Sequence, residues 1–217
     1  MVWIKICGIT DLEDAEKISE LDVDALGFIL STDSPRRINN SGAKKMIKAV
    51  RNKKKKVSLV GVFVNEQVEK VLKDSEDLDL DIIQLSGDED RCYLKNLNDK
   101  SCNAKIIKSI RIKNGLGSYK AELSEEIKKI KEYVDFILLD SYRKNFYGGT
   151  GISFDWNMVK KCDWGIPIIL SGGLDAENVE KAVKTAKPFG VDASSKLEIY
   201  PGKKDIYKVS RFINVLR

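Results

Sequence analysis

The sequence predicts a (β/α)8 TIM barrel, an α/β fold in which parallel strands close into a ring inside a layer of helices. Three observations point to it. Short apolar runs rich in β-branched residues alternate with amphipathic stretches of helical period. There are eight such runs. The residues of unusual chemistry sit directly after the runs, not within the helical stretches. Alternation implies parallel pairing through helical crossovers. Spread over eight units, the 217 residues leave about 27 each, enough for a strand, a helix and two short turns.

The apolar runs fall at 2–7 (VWIKIC), 24–30 (DALGFIL), 57–64 (VSLVGVFV) and 81–85 (DIIQL), then at 104–110 (AKIIKSI), 134–139 (VDFILL), 166–170 (IPIIL) and 189–193 (FGVDA). Helical period is clearest at 12–21, 41–50, 65–74 and 176–185. Thr10 or Asp11, Ser41, Asn65 and Asp175 are residue types suited to cap those helices. After the sixth run only 156–162 is left for a helix, which makes that unit the weakest. An open doubly wound sheet is the rival fold. It would place a Gly-rich phosphate loop after the first strand, and KICGIT at 5–10 is not one. No Pro/Gly/Ser-rich linker divides the chain, so a single domain over 1–217 is expected.

Composition narrows the chemistry. The chain is 42% hydrophobic and 33% charged, has a net charge of +5, and contains no histidine. Ser-His-Asp and Cys-His systems and imidazole zinc sites are therefore excluded. Acid–base work falls to carboxylates, cysteine, lysine or tyrosine. Cys7, Cys92, Cys102 and Cys162 never form a C-x-x-C pair and read as reduced thiols. No apolar run approaches the ~20 residues of a membrane span, and the N-terminus lacks a signal-peptide core, so no membrane partner and a cytoplasmic location are expected. The run Lys53 to Lys56 lacks interleaved aromatics and reads as a solvated helix end; no nucleic-acid partner is expected.

The chemistry-bearing residues cluster at strand ends. They are Cys7 and Gly8 after the first strand, Ser34, Arg36 and Arg37 after the second, and Asn65 after the third. Gln84 and Gly87 mark the fourth and Asp140 the sixth. Ser171, Gly172 and Gly173 follow the seventh, and Asp192, Ser194 and Ser195 the eighth. In a barrel all of these lie on the C-terminal face, where such enzymes build their sites. The small residues of SGGL at 171–174 and VDASSK at 191–196 expose backbone N–H groups, and a helix starting near Asp175 or Ser195 adds a positive dipole. Gly172, Gly173, Ser194 and Ser195 are thus the expected phosphate pocket. By strand parity Lys5 points inward with Cys7, and Asp192 on the adjacent strand is its expected partner.

KICGIT at 5–10, DALGF at 24–28, SPRRI at 34–38, VGVFVN at 60–65, QLSGDE at 84–89, LLDS at 138–141, GGTGISFDW at 148–156, SGGL at 171–174 and PGKKD at 201–205 resemble, in order, the motifs of the phosphoribosylanthranilate isomerases. The resemblance spans essentially the whole chain. It implies an Amadori rearrangement of N-(5-phosphoribosyl)anthranilate to the 1-deoxyribulose 5-phosphate, the third step of tryptophan biosynthesis, with no cofactor and no metal. It also implies Asp140 as the acid that opens the sugar ring, Cys7 as the base at C2, and Arg36 for the anthranilate carboxylate. A guanidinium grips a carboxylate through two parallel hydrogen bonds, whereas Arg37 beside it could equally be a surface residue. Asp140 should have a raised pKa and Cys7 a modestly lowered one.

The chain departs from the family pattern at Ser86, where a histidine is usual, and at Lys196, where a glycine is usual. Ser86 is expected to lie behind the site, and Lys196 either to shift the loop or to join the phosphate contacts. Other readings are a different sugar-phosphate isomerase or lyase, a broader aminoaldose isomerase, and a non-catalytic binding protein. The phosphorylated small-molecule substrate is the expected partner, with the chain a monomer or a homodimer.

Overall fold

A computed structural model describes residues 1–53, 56–100, 103–112, 119–141, 155–160 and 163–217. Lys54, Lys55, Cys102, Cys162 and most of the 148–156 motif lie outside the described residues. Among those described, eight parallel strands close a barrel in sequence order: β1 (Trp3–Cys7), β2 (Ala25–Ile29), β3 (Ser58–Phe63), β4 (Ile82–Leu85), β5 (Lys105–Ile112), β6 (Phe136–Ser141), β7 (Ile168–Leu170) and β8 (Gly190–Ala193). Ring closure comes from β8 pairing with β1 in the register Lys5↔Asp192. The predicted fold class and its eight runs stand.

The helices are α1 (Leu12–Glu20), α2 (Asn40–Arg51), α3 (Val68–Asp77), α4 (Arg91–Lys100), α5 (Tyr119–Ile130), α6 (Val179–Ala186) and α7 (Ile206–Asn214). None is long and apolar enough to cross a membrane. After β6 the described residues hold one 3-10 turn, Trp156–Val159, where the sequence left too little room for a helix. Caps differ in detail from expectation. Asp11 caps α1, accepting the Asp14 N–H at 3.0 Å. Asn39, not Ser41, caps α2, accepting from Gly42 at 2.8 Å. Gln67 rather than Asn65 precedes α3. Asn178, not Asp175, precedes α6, because the Asp175 carboxylate is spent on a turn, accepting the Glu177 and Asn178 N–H groups.

Strand parity sorts the core into two layers. Outward residues such as Ile4, Ile6, Leu26, Phe28, Ile83 and Leu139 pack against the helices. Inward residues Ala25, Val60, Ile82, Ile107, Leu138 and Ile169 fill the barrel interior. Below them Trp3, Phe136 and Phe189 stack on one another, with the Trp3 and Phe136 rings 6.4 Å apart and nearly parallel. This apolar plug closes the N-terminal end, and the cavity opens at the opposite mouth.

One element was not foreseen. The segment ending in PGKKD forms an antiparallel hairpin, β9 (Glu198–Tyr200) with β10 (Lys203–Lys204). It is tied to α1, since the buried Asp14 carboxylate accepts from Lys203 Nζ at 2.7 Å and from the Lys204 N–H at 2.9 Å. The hairpin thereby leans over the ends of β1, β2 and β8.

Candidate active site

The C-terminal mouth of the barrel is a cavity lined by Cys7, Ser34, Arg36, Gln84, Ser86, Ser109, Arg111, Asp140, Ser171, Asp192 and Ser194, with Ile29, Val62 and Leu138 as its apolar walls. Each polar residue is the inward-facing one at its strand end or lies in the loop that follows.

Asp140, on β6, is buried, and its Oδ1 accepts the Ser141 N–H at 2.8 Å. Burial pushes its carboxyl up to about 7, and the negative charge of Asp192 adds to the rise. The Ser141 N–H, Lys5 and Arg111 pull the other way without cancelling it. Asp140 is therefore still partly protonated near neutral pH, with the raised pKa expected of it. Gly172, with φ +89°, permits this packing: a Cβ there would lie 2.8 Å from Asp140 Oδ1 and 2.6 Å from Ser141 Oγ.

Cys7 corrects the sequence reading. Its thiol is buried and its pKa is raised, not lowered, because desolvation outweighs the cations. Lys5 and then Lys204 oppose the rise, and Asp192 supports it. Lys5 and Asp192 meet as expected, Nζ to Oδ1 at 2.8 Å, both buried. The contact is an ion pair whose angles miss those of a hydrogen bond.

Arg36 and Arg37 part company: Arg36 lines the cavity, whereas Arg37 is exposed. Arg36 is already gripped. Its Nε donates to Glu198 Oε1 at 2.8 Å and its Nη2 to Oε2 at 2.7 Å. The fully buried Lys204 donates to the same Glu198 Oε1 at 2.8 Å and to Ser194 O at 3.3 Å. Burial opposes the charge of Glu198, yet Arg36 and Lys204 together hold its carboxyl below the usual range. Gly8, with φ +75°, lets these parts meet, since a Cβ would lie 2.8 Å from Arg36 Cδ and 3.0 Å from Ser194 Oγ.

Ser194 lines the cavity. Gly172, Gly173 and Ser195 are half-buried on the loops after β7 and β8 and do not line it. The helix expected near Asp175 begins instead at Val179, and Ser195 opens only a short 3-10 turn, Ser195–Leu197. Lys196 is exposed on that turn. Ser86 is not behind the site but in its wall, accepting from Gln84 Nε2 at 3.1 Å. Three participants went unread in the sequence. Glu198 and Lys204 act through a hairpin that no local pattern announced. Arg111 was legible, because 107, 109 and 111 share the inward parity of β5.

Fold and site together define a barrel enzyme of the acid–base kind, with a carboxyl of raised pKa, a thiol and two guanidinium groups around one cavity. Residues 4–215 match the pattern of the family described as N-(5'phosphoribosyl)anthranilate (PRA) isomerase. The chain is similar to the N-(5'-phosphoribosyl)anthranilate isomerase of Caldanaerobacter subterraneus subsp. tengcongensis, with 42% identity over 218 residues covering 100% of this chain and 98% of that one. It is also similar to the crystal structure of the phosphoribosyl anthranilate isomerase of Thermotoga maritima, with TM-score 0.85, 34% identity and coverage of 99% and 98%. A further similar structure is such an isomerase in complex with reduced 1-(o-carboxyphenylamino)-1-deoxyribulose 5-phosphate, with TM-score 0.81, 33% identity and coverage of 99% and 97%. The chain belongs to the phosphoribosylanthranilate isomerase family. Its activity is that isomerisation, in tryptophan biosynthesis.

Proposed function

We propose that the isomerisation runs on Asp140 as general acid and Cys7 as general base, without metal or cofactor. Protonated Asp140 gives its proton to the ring oxygen of the ribosyl group. The C1–O bond breaks, and the nitrogen lone pair forms a C1=N iminium. The Cys7 thiolate then takes the proton from C2, and the freed pair forms the C1=C2 enolamine as nitrogen recovers its lone pair. Net movement of the enol proton to C1 gives the aminoketose. The observation that carries this reading is the carboxyl of Asp140, held near 7 in the same cavity as the Cys7 sulfur. Desolvation makes the thiolate scarce, and a scarce thiolate of high pKa is the stronger base.

Arg36 spends its side-on edge on Glu198, and the end-on edge, Nη1 with the second hydrogen of Nη2, serves the anthranilate carboxylate. The loops carrying Gly172, Gly173, Ser194 and Ser195 take the phosphate of the substrate through their N–H and hydroxyl groups. The free Cys7 and Cys92 thiols suit a cytoplasmic enzyme.

The test is the decay of anthranilate fluorescence with substrate generated in situ. Cys7→Ser and Asp140→Asn should each lose activity by about 100-fold or more, the usual worth of a general acid or base. Folded variants that turn over at the wild-type rate sink the assignment.

A further inference from the structure

Lys5 is half of a buried ion pair with Asp192 and takes no part in the steps assigned to Asp140 and Cys7. Its surroundings say more. Lys5 is fully buried inside the barrel, one inward position below Cys7 on the same strand. The two side chains lie together over Gly27 of β2: a Cβ on that glycine would be 2.8 Å from Cys7 Sγ and 3.1 Å from Lys5 Cε. Among the described residues, Nζ makes no well-formed hydrogen bond: Asp192 Oδ1 lies 2.8 Å away at a poor angle, and Cys7 is a second close polar neighbour. A buried ammonium with donors to spare is expensive as pure structure, since a well-packed apolar pair commonly does as well. An anionic Cys7 sulfur beside it would use those donors.

We propose that Lys5 is a positioning residue whose ammonium, anchored by Asp192, holds the Cys7 sulfur ready as the thiolate base. The thiol proton leaves to water, and the sulfur lone pair then faces C2 of the substrate. Charged groups around the sulfur come from several elements. Lys5 on β1 and Lys204 on β10 favour the thiolate, and Asp192 on β8 opposes it. Asp140 on β6, Arg36 after β2 and Arg111 on β5 line the same cavity, with Glu198 on β9 neutralising Arg36. Lys5 outranks Asp192 and Lys204 in its effect on Cys7. Burial works against its own charge, but Asp192 and Cys7 more than restore it, so the ammonium persists. Lys5 is thus the dominant cation at the sulfur. This inference rests on Cys7 being the base.

The experiment follows Cys7 alkylation by iodoacetamide against pH in protein whose Cys92, Cys102 and Cys162 are serine, alongside the pH profile of kcat/KM. In Lys5→Met the alkylation midpoint should rise by about one pH unit or more, the usual effect of losing an adjacent charge. The alkaline limb of kcat/KM should move up with it and the plateau fall by about tenfold. Asp192→Asn should move the midpoint down. If Lys5→Met fails to fold, Lys5→Met/Asp192→Asn removes both charges and still raises the midpoint, by less. An unchanged midpoint in the folded variant overturns the proposal. A midpoint that rises while the kcat/KM profile stays put instead overturns Cys7 as the base and leaves the hold of Lys5 on the sulfur standing.

Discussion

Arg36 and Glu198, 162 positions apart in the chain, form a bidentate ion pair at 2.8 and 2.7 Å in which both side chains are nearly buried. The pair fixes the plane of the guanidinium before any substrate arrives, so that only its end-on edge is presented to the cavity. Lys204 on the hairpin completes the arrangement by bridging Glu198 to the loop at Ser194.

Glu198→Gln should therefore raise KM by about tenfold or more while lowering kcat less, because it loosens Arg36, the group proposed to bind substrate and transition state alike. In an Arg36→Ala background the same change should add little to KM, as contacting residues are not additive. Steady-state kinetics on the four proteins of that cycle are the measurement.

Asp140→Asn should be more stable than the wild type above neutral pH. Between the ordinary carboxyl value, about 4, and about 7, the folded protein binds the extra proton. Stability of the wild type hence falls as pH rises through that window and is level above it. Asparagine removes the loss, which is on the order of 4 kcal/mol at pH 8 and vanishes towards pH 4. Urea unfolding at the two pH values reads the difference.

The pH profile of kcat/KM carries the signature of reversed protonation. Asp140, the proposed acid, titrates at about 7, below the thiol of Cys7, the proposed base, which is raised above its ordinary value, so the reactive form is a minor one at every pH. The rate should climb with unit slope to about pH 7, stay level, and fall only beyond the pKa of the thiol. A profile in Asp140→Glu whose acidic limb does not move would contradict the assignment of that limb.

Gly8→Ala should cost both activity and stability. The added Cβ meets Arg36 Cδ at 2.8 Å and Ser194 Oγ at 3.0 Å on a backbone with φ +75°. Strain of this kind is worth about 1–3 kcal/mol, and the displaced Arg36 should raise KM. Denaturant midpoints and KM together check it.

Much of the architecture could be read from local pattern. Eight β-branched runs and the helical period between them specify a parallel barrel, because period and length leave few other ways to bury those faces. Parity along β1 placed Lys5 and Cys7 inside, and the pairing Lys5↔Asp192 appears in the register itself. The position of Asp140 at a strand end was enough to put it at the mouth.

What the linear sequence could not supply was the balance of charges once water is removed. Whether a thiol titrates up or down depends on how completely the barrel buries it against how near its cations lie, and burial won at Cys7. Likewise, nothing local in KLEIYPGKK tells Glu198 to cross to Arg36; that contact exists because the hairpin is fastened to Asp14 of α1. Residue types and strand ends by themselves determined the fold, the absence of imidazole chemistry and which groups gather at the mouth. Desolvation and long-range ion pairing, which arise only when distant segments pack, decided the protonation of Cys7 and Asp140 and the orientation of Arg36.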